Sequence, residues 1–236
     1  MMDKSKKCSR RVLLIGLLLF TGCSAKPIYD EGLILELYPT RFDDNLYIHA
    51  FFQFSPPQSV GWERVELQNP TWIALRKTLP PYSDDHTFVG RAKLSVESLA
   101  DEFPEQQDAT EILASIASRW EADYKTAEGN TLKEFRAYPD GTCPITPCYR
   151  YDWLVLKTDK NKTGKEFPIV IEGHSYLFAH PEMLDLRKKR PGFPFFRWVR
   201  ITYSQTYPPG SKKQSIEDDV ARVLNSLRFR NGNEIY

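Results

Sequence analysis

Four segments of the chain have strand character, in part from apolar residues at every other position, and they constrain its fold more than any other feature. The segments are 131–138, 149–158, 167–179 and 197–207. Successive side chains of a β-strand point to opposite faces of a sheet, so this period of two predicts strands that are buried on one face. Tyr149, Tyr151, Trp153 and Val155, for example, share one face of the second segment. The strands are close in sequence, and the polar loop 159–164 is typical of a hairpin, so we expect antiparallel pairing.

Shorter segments in the first half of the chain also have strand character. They are 34–38, 46–54, 62–67, 71–77 and 86–94. In the second of these the apolar residues occupy every other position, which predicts one continuous strand with His49 on the opposite face. In the last of them, Arg91 and Lys93 occupy the polar face of a half-buried strand. The sequence therefore predicts that strands outnumber helices.

Two amphipathic helices are expected between and after these strands. Asp108 and Glu111 have the spacing of a capping pair, which satisfies free amide groups at the start of a helix. The apolar stripe that follows is Ile112, Ile116, Trp120 and Tyr124. A final helix is expected after Ser215, which can cap it together with Asp218, and its apolar face ends at Leu227. The prediction is a single α+β domain over residues 33–236, an antiparallel β-sheet packed with two main helices.

The order of these elements is similar to that of a known fold. Early strand hairpins, a central helix, an antiparallel meander and a closing helix resemble the Mog1/PsbP-like fold over residues 60–230. The ending Val223-Leu-Asn-Ser-Leu-Arg-Phe229 is similar to the way those domains finish. Members of that fold serve as binding or accessory proteins, including photosystem subunits and a Ran-binding factor. They share no catalytic constellation, so the resemblance implies a binding role and carries over no functional residue.

The first 23 residues have the layout of an export signal. A basic stretch ends at Arg11, an apolar run of nine residues spans 12–20, and small residues precede Cys23. This order is typical of a secretory signal peptide, here residues 1–22. A helix needs roughly 20 apolar residues to cross a bilayer, so the run is too short for an ordinary transmembrane anchor.

The residues around the expected cleavage point resemble the lipobox of bacterial lipoproteins. Thr21, Gly22 and Cys23 fit that pattern, whereas Phe20 departs from its usual aliphatic residue. The resemblance implies a diacylglycerol on the sulfur of Cys23, cleavage before it and acylation of the new amine, with residues 23–32 as a tether. Ser24 in place of aspartate implies the outer membrane, facing the periplasm. A plain secretory signal that contains a cysteine is the alternative.

The charge of the mature chain excludes one class of partner. The leader holds five of the 32 Lys and Arg residues and one of the 31 Asp and Glu residues, which leaves 27 and 30 and a formal net charge of −3. Proteins that bind nucleic acid through its phosphates need a basic surface, so no nucleic-acid partner is expected. The expected partners are the membrane, through the lipid, and an envelope protein or a small ligand.

The cysteines fall into three groups. Cys8 leaves with the leader and Cys23 is the lipid site, so Cys143 and Cys148 remain. In an oxidising periplasm two close cysteines indicate a disulfide, whose short loop contributes about 2 kcal/mol in the chain-entropy model. Half of a metal site or a redox pair is the alternative, but no histidine is near in sequence and redox motifs usually have a shorter spacing. We therefore expect no metal site, and no motif indicates a cofactor.

A basic segment between two predicted strands is the candidate binding surface. Residues 181–194 are expected to form a long loop, because prolines stand at both ends. Its candidate contact residues are Arg187, Lys188, Lys189, Arg190 and Phe193. Basic side chains beside an aromatic ring can dock a protein, a ring-bearing ligand or anionic lipid headgroups. Phe196 and Trp198 are instead expected in the core.

No catalytic residue is predicted. Ser175 and Ser204 are available as nucleophiles, with His180, Asp152 and Glu172 as partners, but no nucleophile elbow, phosphate loop or zinc helix is present. His174 shares a strand face with His180 at a distance of about 20 Å, too far for one metal. The expected function is that of a non-catalytic, lipid-anchored envelope protein that binds a protein or ligand. A periplasmic hydrolase with an unrecognised site is the alternative, and a mainly structural envelope role is a third.

Overall fold

The architecture is that of an α+β protein, given by a computed structural model. The model describes residues 40–66, 71–81, 89–102, 108–160, 164, 166–189, 195–211 and 213–230. The predicted leader, Cys23, the tether, the strand at 34–38, His86, Arg190 and Phe193 lie outside these residues. The strands are β1 (Arg41–Phe42), β2 (Tyr47–Ile48), β3 (Phe52–Phe54), β4 (Trp62–Val65), β5 (Trp72–Pro81), β6 (Val89–Glu102), β7 (Asn130–Pro139), β8 (Cys148–Lys160), β9 (Glu166–Ala179), β10 (Phe195–Tyr207) and β11 (Arg228–Phe229). The helices are α1 (Ala109–Thr126), α2 (Pro181–Lys189) and α3 (Glu217–Ser226).

A seven-stranded antiparallel sheet forms the centre of the fold. Its strand order is β4-β5-β6-β10-β9-β8-β7, and every neighbouring pair is antiparallel. The four long strands predicted in the second half are β7 to β10, and they lie side by side in the sheet. β6 pairs with the other edge of β10. A second sheet of four short strands has the order β1-β2-β3-β11. The predicted fold class, an antiparallel sheet packed with two main helices, is confirmed.

The helix α1 covers part of one face of the large sheet. The Asp108 carboxylate accepts a hydrogen bond from the Glu111 amide at 2.9 Å, so the predicted cap is confirmed. The buried residues of α1 are Ile112, Leu113, Ile116 and Ala117, which pack on Tyr151, Val155 and Leu177 of the sheet. Burying each large apolar side chain contributes about 1.5–3 kcal/mol, so this stripe holds the helix on the sheet. The helix packs mainly against β7, β8 and β9.

The opposite face of the large sheet is covered by α3 and the small sheet. Val223 and Leu227 at the end of α3 are fully buried, as are Phe52 and Phe54 of β3. They form one core with apolar residues of β5, β6 and β10. The predicted cap of this helix is wrong, because Ile216 is the N-cap residue and the Ser215 hydroxyl bonds to the Glu217 carboxylate.

Two other sequence predictions need correction. Residues 46–54 do not form one strand, because β2 and β3 pair as a hairpin in which the His49 amide donates to the Phe52 carbonyl at 2.8 Å. A period of two is the same on both arms of a hairpin, so the pattern could not show the turn. His49 is therefore not on the opposite face of a single strand; it lies in the connection between β2 and β3, where it is fully buried and its ring stacks on Phe52 at 4.3 Å.

The predicted loop 181–194 contains a helix instead. Residues Pro181–Lys189 form α2, which begins directly after β9. Proline is favoured at the first helical position, because its missing amide would have no partner there and its φ is already helical. Pro181 is therefore compatible with the start of a helix as well as with the predicted loop.

Candidate functional site

A groove lies on the large sheet beside α1. The helix covers β7, β8 and β9, whereas β4, β5, β6 and β10 carry a cavity of about 690 Å³ on the same face. This volume lies within the range of about 300–1,000 Å³ that is usual for ligand pockets. We call it the sheet groove and describe its walls and floor in turn.

Aromatic side chains form two sides of the sheet groove. Trp120 and Tyr124 come from the last turns of α1, and Trp72 stands at the start of β5 with 38% of its surface exposed. The Tyr124 ring stacks on Trp153 of β8 with ring centroids 4.7 Å apart. Burial raises the pKa of Tyr124, so its phenol stays neutral at physiological pH. These walls offer flat apolar surfaces with a polar edge.

A cluster of three cations lies along another side of the sheet groove. Arg76 of β5 stands directly opposite Lys93 of β6, and Arg91 lies two residues from Lys93 on the same face. Like charges directly opposite each other destabilise an antiparallel pair. Glu63 of β4 reaches Arg76 at 3.3 Å, but both side chains are about two-thirds exposed, so water screens the pair. We call Arg76, Arg91 and Lys93 the cation cluster.

The floor of the sheet groove is made of small side chains. Ala74, Ser95 and Thr202 lie in one row across β5, β6 and β10, as their backbone register shows. Ser204 lies opposite Lys93 in the next row. These small residues keep the floor low between the aromatic walls and the cation cluster, and the hydroxyls of Ser95, Thr202 and Ser204 offer hydrogen bonds.

A buried ion pair closes the end of the sheet groove. Arg200 of β10 and Glu97 of β6 lie opposite each other, both less than a tenth exposed, and the arginine Nε donates to the carboxylate. The Arg200 guanidinium also lies 3.6 Å from the Trp120 ring centroid and donates to the Tyr151 hydroxyl at 3.2 Å. The pair is therefore held by packing as well as charge, and it fixes the Trp120 ring against the sheet.

A second polar cluster lies on the opposite face of the sheet. His174 Nδ1 of β9 is 2.5 Å from the Asp152 carboxylate of β8, and Arg150 Nε donates to the same carboxylate at 2.8 Å. Glu172 accepts hydrogen bonds from the Tyr207 hydroxyl and the Lys213 amine. Burial alone would raise the pKa of Asp152, but the bonds from His174 and Arg150 outweigh it and lower that pKa to about 2. Every carboxylate of this cluster already has cationic partners.

The residues considered for catalysis are not brought together. Asp152 and Glu172 surround His174, whereas His180 is buried beside Phe229 beyond the end of β9. Burial and the nearby Arg197 lower the pKa of His180 to about 4, so it is neutral at physiological pH.

Neither candidate serine faces this cluster. Ser175 is fully buried on the α1 side of the sheet, where its hydroxyl bonds to Thr202 at 2.9 Å. Ser204 lines the sheet groove. The two serines considered as nucleophiles therefore have no assembled catalytic partners among the described residues, and the alternative of a hydrolase with an unrecognised site stays a prediction.

The predicted basic surface is only partly described. Arg187, Lys188 and Lys189 lie in the last turn of α2, and Lys189 is exposed. Arg190 and Phe193 lie outside the described residues. The role of this segment as a docking surface stays a prediction.

The predicted disulfide is present. Cys143 and Cys148 are bonded and close the turn between β7 and β8. Cys148 is buried, and Cys143 packs against the core on the α3 side of the sheet. The bond therefore ties the turn to the core, and it lies outside the lining of the sheet groove.

The fold and the groove define an α+β protein with a basic, aromatic cavity on one face of an antiparallel sheet. Comparison of the sequence with protein-family models and with curated proteins finds no match in either. Among the described residues, no helix has the length and apolar character needed to cross a membrane. In the same part of the chain, no group of three or more His, Cys, Asp or Glu residues is placed to hold a metal ion.

The sheet groove was not predicted from the sequence. Arg91 and Lys93 were assigned to a polar strand face, but Arg76 was not connected to them. The signal that could have found the site is the concentration of cations on the polar faces of two adjacent strands. Recognising it requires the β5–β6 register, which sequence patterns alone leave open.

Proposed function

We propose that the protein is a lipid-anchored bacterial envelope protein whose domain binds a ligand in the sheet groove, without catalysing a reaction. The observation that carries the binding role is the combination of aromatic walls, a floor of small residues and a cation cluster around one cavity of about 690 Å³, with Glu63 as the carboxylate that reaches the cluster among the described residues. Ligand sites typically join an apolar lining with a few polar groups in this way. The anchoring role is supported by the basic stretch, the apolar run and Cys23 at the start of the chain.

A protein-binding surface at 187–193 is the alternative binding site, and it is proposed from the sequence alone. Basic residues there can approach anionic headgroups once the lipid holds the domain at a membrane. The sheet groove is the stronger candidate, because its side chains, register and volume are all described.

Mass spectrometry of the protein purified from its native envelope tests the anchor. We expect a mature chain that begins at Cys23 and carries a diacylglycerol and an acyl group, because two or more acyl chains hold a protein stably at a bilayer where one does not. The Cys23→Ser variant should keep residues 1–22 and lack the lipid. An intact leader on the native protein, or an unmodified Cys23 sulfur, contradicts the proposed anchor.

Calorimetric titration with anilinonaphthalene sulfonate tests the groove. We use the full chain in nanodiscs of neutral lipid, with empty nanodiscs as the blank. Ser95 lies on the floor, so Ser95→Trp should fill the cavity and lower the affinity at least about tenfold, since the added ring occupies the space of the dye. Thr158→Trp adds the same ring at an exposed position of β8 outside the groove, so it should leave the affinity for the dye unchanged.

The two variants distinguish binding of the dye in the groove from nonspecific binding elsewhere on the protein. Circular dichroism should show that both remain folded. Equal affinities for wild type, Ser95→Trp and Thr158→Trp would mean that the dye does not enter the groove, and the proposed binding role would fail.

A further inference from the structure

Among the described residues, the cation cluster carries more positive charge than the neighbouring carboxylates balance. Arg91 and Lys93 are exposed and make no hydrogen bond or ion pair with any described residue. Within that part of the chain, Glu63 is the carboxylate that reaches the cluster, through Arg76 at 3.3 Å. Three cations and one carboxylate leave two positive charges in one corner of the groove. Such a local conflict, with like charges on facing strands, is the kind that proteins retain at functional sites.

The groove also fixes where a ligand would lie relative to this charge. Trp72 and the Arg200–Trp120 contact stand in one cross-strand row, the small floor residues in the next, and Arg76 and Lys93 in the row after it. Residues two apart on a strand are about 7 Å apart. A flat ring can therefore rest on the floor beside Trp72 and Trp120 while its anionic substituent reaches the cation cluster.

We propose that the sheet groove binds a phosphate monoester carried on a ring, with the phosphate at the cation cluster and the ring on the floor. This inference rests on the proposed binding function. A phosphate monoester carries a charge of about −1.5 to −2 at pH 7, which matches the two uncompensated charges, whereas a carboxylate would neutralise only one. Arg76 and Arg91 can bind phosphate oxygens through paired N–H groups, and Lys93 adds a point charge. The Ser204 hydroxyl, opposite Lys93, can donate a further bond.

Titration with 1-naphthyl phosphate tests this inference. The full chain in neutral-lipid nanodiscs is titrated in a calorimeter with 1-naphthyl phosphate, 1-naphthol, inorganic phosphate and dodecyl phosphate. We expect 1-naphthyl phosphate to bind at least about tenfold more tightly than each of the others, because a charged hydrogen bond and ring stacking both contribute. Its affinity should fall as salt is raised, whereas that of 1-naphthol should not.

Charge variants identify the phosphate site. Lys93→Gln and Arg91→Gln should each weaken 1-naphthyl phosphate binding by about five- to tenfold and leave 1-naphthol binding unchanged. Lys157→Gln is the matched control, because Lys157 is also an exposed strand lysine without a partner among the described residues but lies outside the groove. It should change neither affinity.

The outcomes separate this inference from the proposed function. If 1-naphthol binds as tightly as 1-naphthyl phosphate and Ser95→Trp abolishes both, the groove binds ligands but the phosphate assignment is overturned. Equally tight binding of inorganic phosphate or of dodecyl phosphate would show that the groove does not recognise the ring of the ligand. An unchanged affinity in Lys93→Gln and Arg91→Gln would overturn the cation cluster as the phosphate site. If no probe binds in a way that Ser95→Trp prevents, the proposed function fails as well.

Discussion

Gly173→Ala should destabilise the protein by roughly 3 kcal/mol, the upper part of the range for overpacking a core. A Cβ at Gly173 of β9 would overlap with Cζ2 and Cε2 of Trp153, because the indole lies directly on the glycine backbone. Trp153 is the residue opposite Gly173 on β8, is 7% exposed, and is held on its other side by Tyr124. The indole therefore cannot move without disturbing α1. Urea unfolding of the full chain followed by circular dichroism measures the loss.

The chain offers a matched control for this substitution. Gly141 has no atom within 4 Å of the same ideal Cβ position, so Gly141→Ala should change the free energy of unfolding by less than about 0.5 kcal/mol. Adding Trp153→Leu to Gly173→Ala should relieve the overlap. The double variant should therefore lose less free energy of unfolding than the two single variants lose together. Equal losses in Gly173→Ala and Gly141→Ala would refute the close approach of the indole to the backbone.

Glu97→Ala should cost about 3–5 kcal/mol, because it leaves the Arg200 guanidinium buried without its carboxylate. Both side chains are less than a tenth exposed, so water cannot replace the missing oxygen atoms without opening the core. Arg200 also rests on Trp120, and its displacement should loosen the wall of the sheet groove. Chemical denaturation gives the stability, and 1-naphthyl phosphate binding in the same variant reports on the groove.

Glu63→Ala is the control for the buried pair. It breaks the Arg76–Glu63 pair on the same sheet face, where both partners are about two-thirds exposed, and should cost less than about 1 kcal/mol. The double variant Glu97→Leu with Arg200→Met should recover most of the loss, since apolar residues of similar volume can replace a buried pair. If Glu97→Ala and Glu63→Ala cost the same, the Arg200–Glu97 pair is not the buried interaction described above.

Much of the sheet was predictable because its strands are long and half-buried. Residues 149–158 and 167–179 are rich in apolar residues that favour strands, and the observed strands extend them by only a few residues. The same pattern was misleading at His49, where a hairpin preserves the period of two on both sides of its turn. Local alternation records which face is apolar, but it does not record where the chain reverses.

The site was less predictable than the fold, because it depends on contacts between distant strands. Glu97 and Arg200 are 103 residues apart in sequence, and Asp152 and His174 are 22 apart, yet each pair lies opposite on neighbouring strands. A shift of one residue in either register would move these side chains to the other face. The residues considered for catalysis are separated for the same reason. Ser175 and Ser204 lie on the α1 side of the sheet, whereas His180 is buried beside Phe229.

The sequence by itself determined the fold class, the start of α1, the long strands and the cysteine pair, because each is encoded by residues close together along the chain. Only the tertiary structure decided that α1 covers β7, β8 and β9 and that Arg76 stands opposite Lys93 on the part of the same face that α1 leaves uncovered. Strand order and register are set by the packing of all the apolar faces at once. A binding groove on a sheet is a product of that order, so no single segment could reveal it.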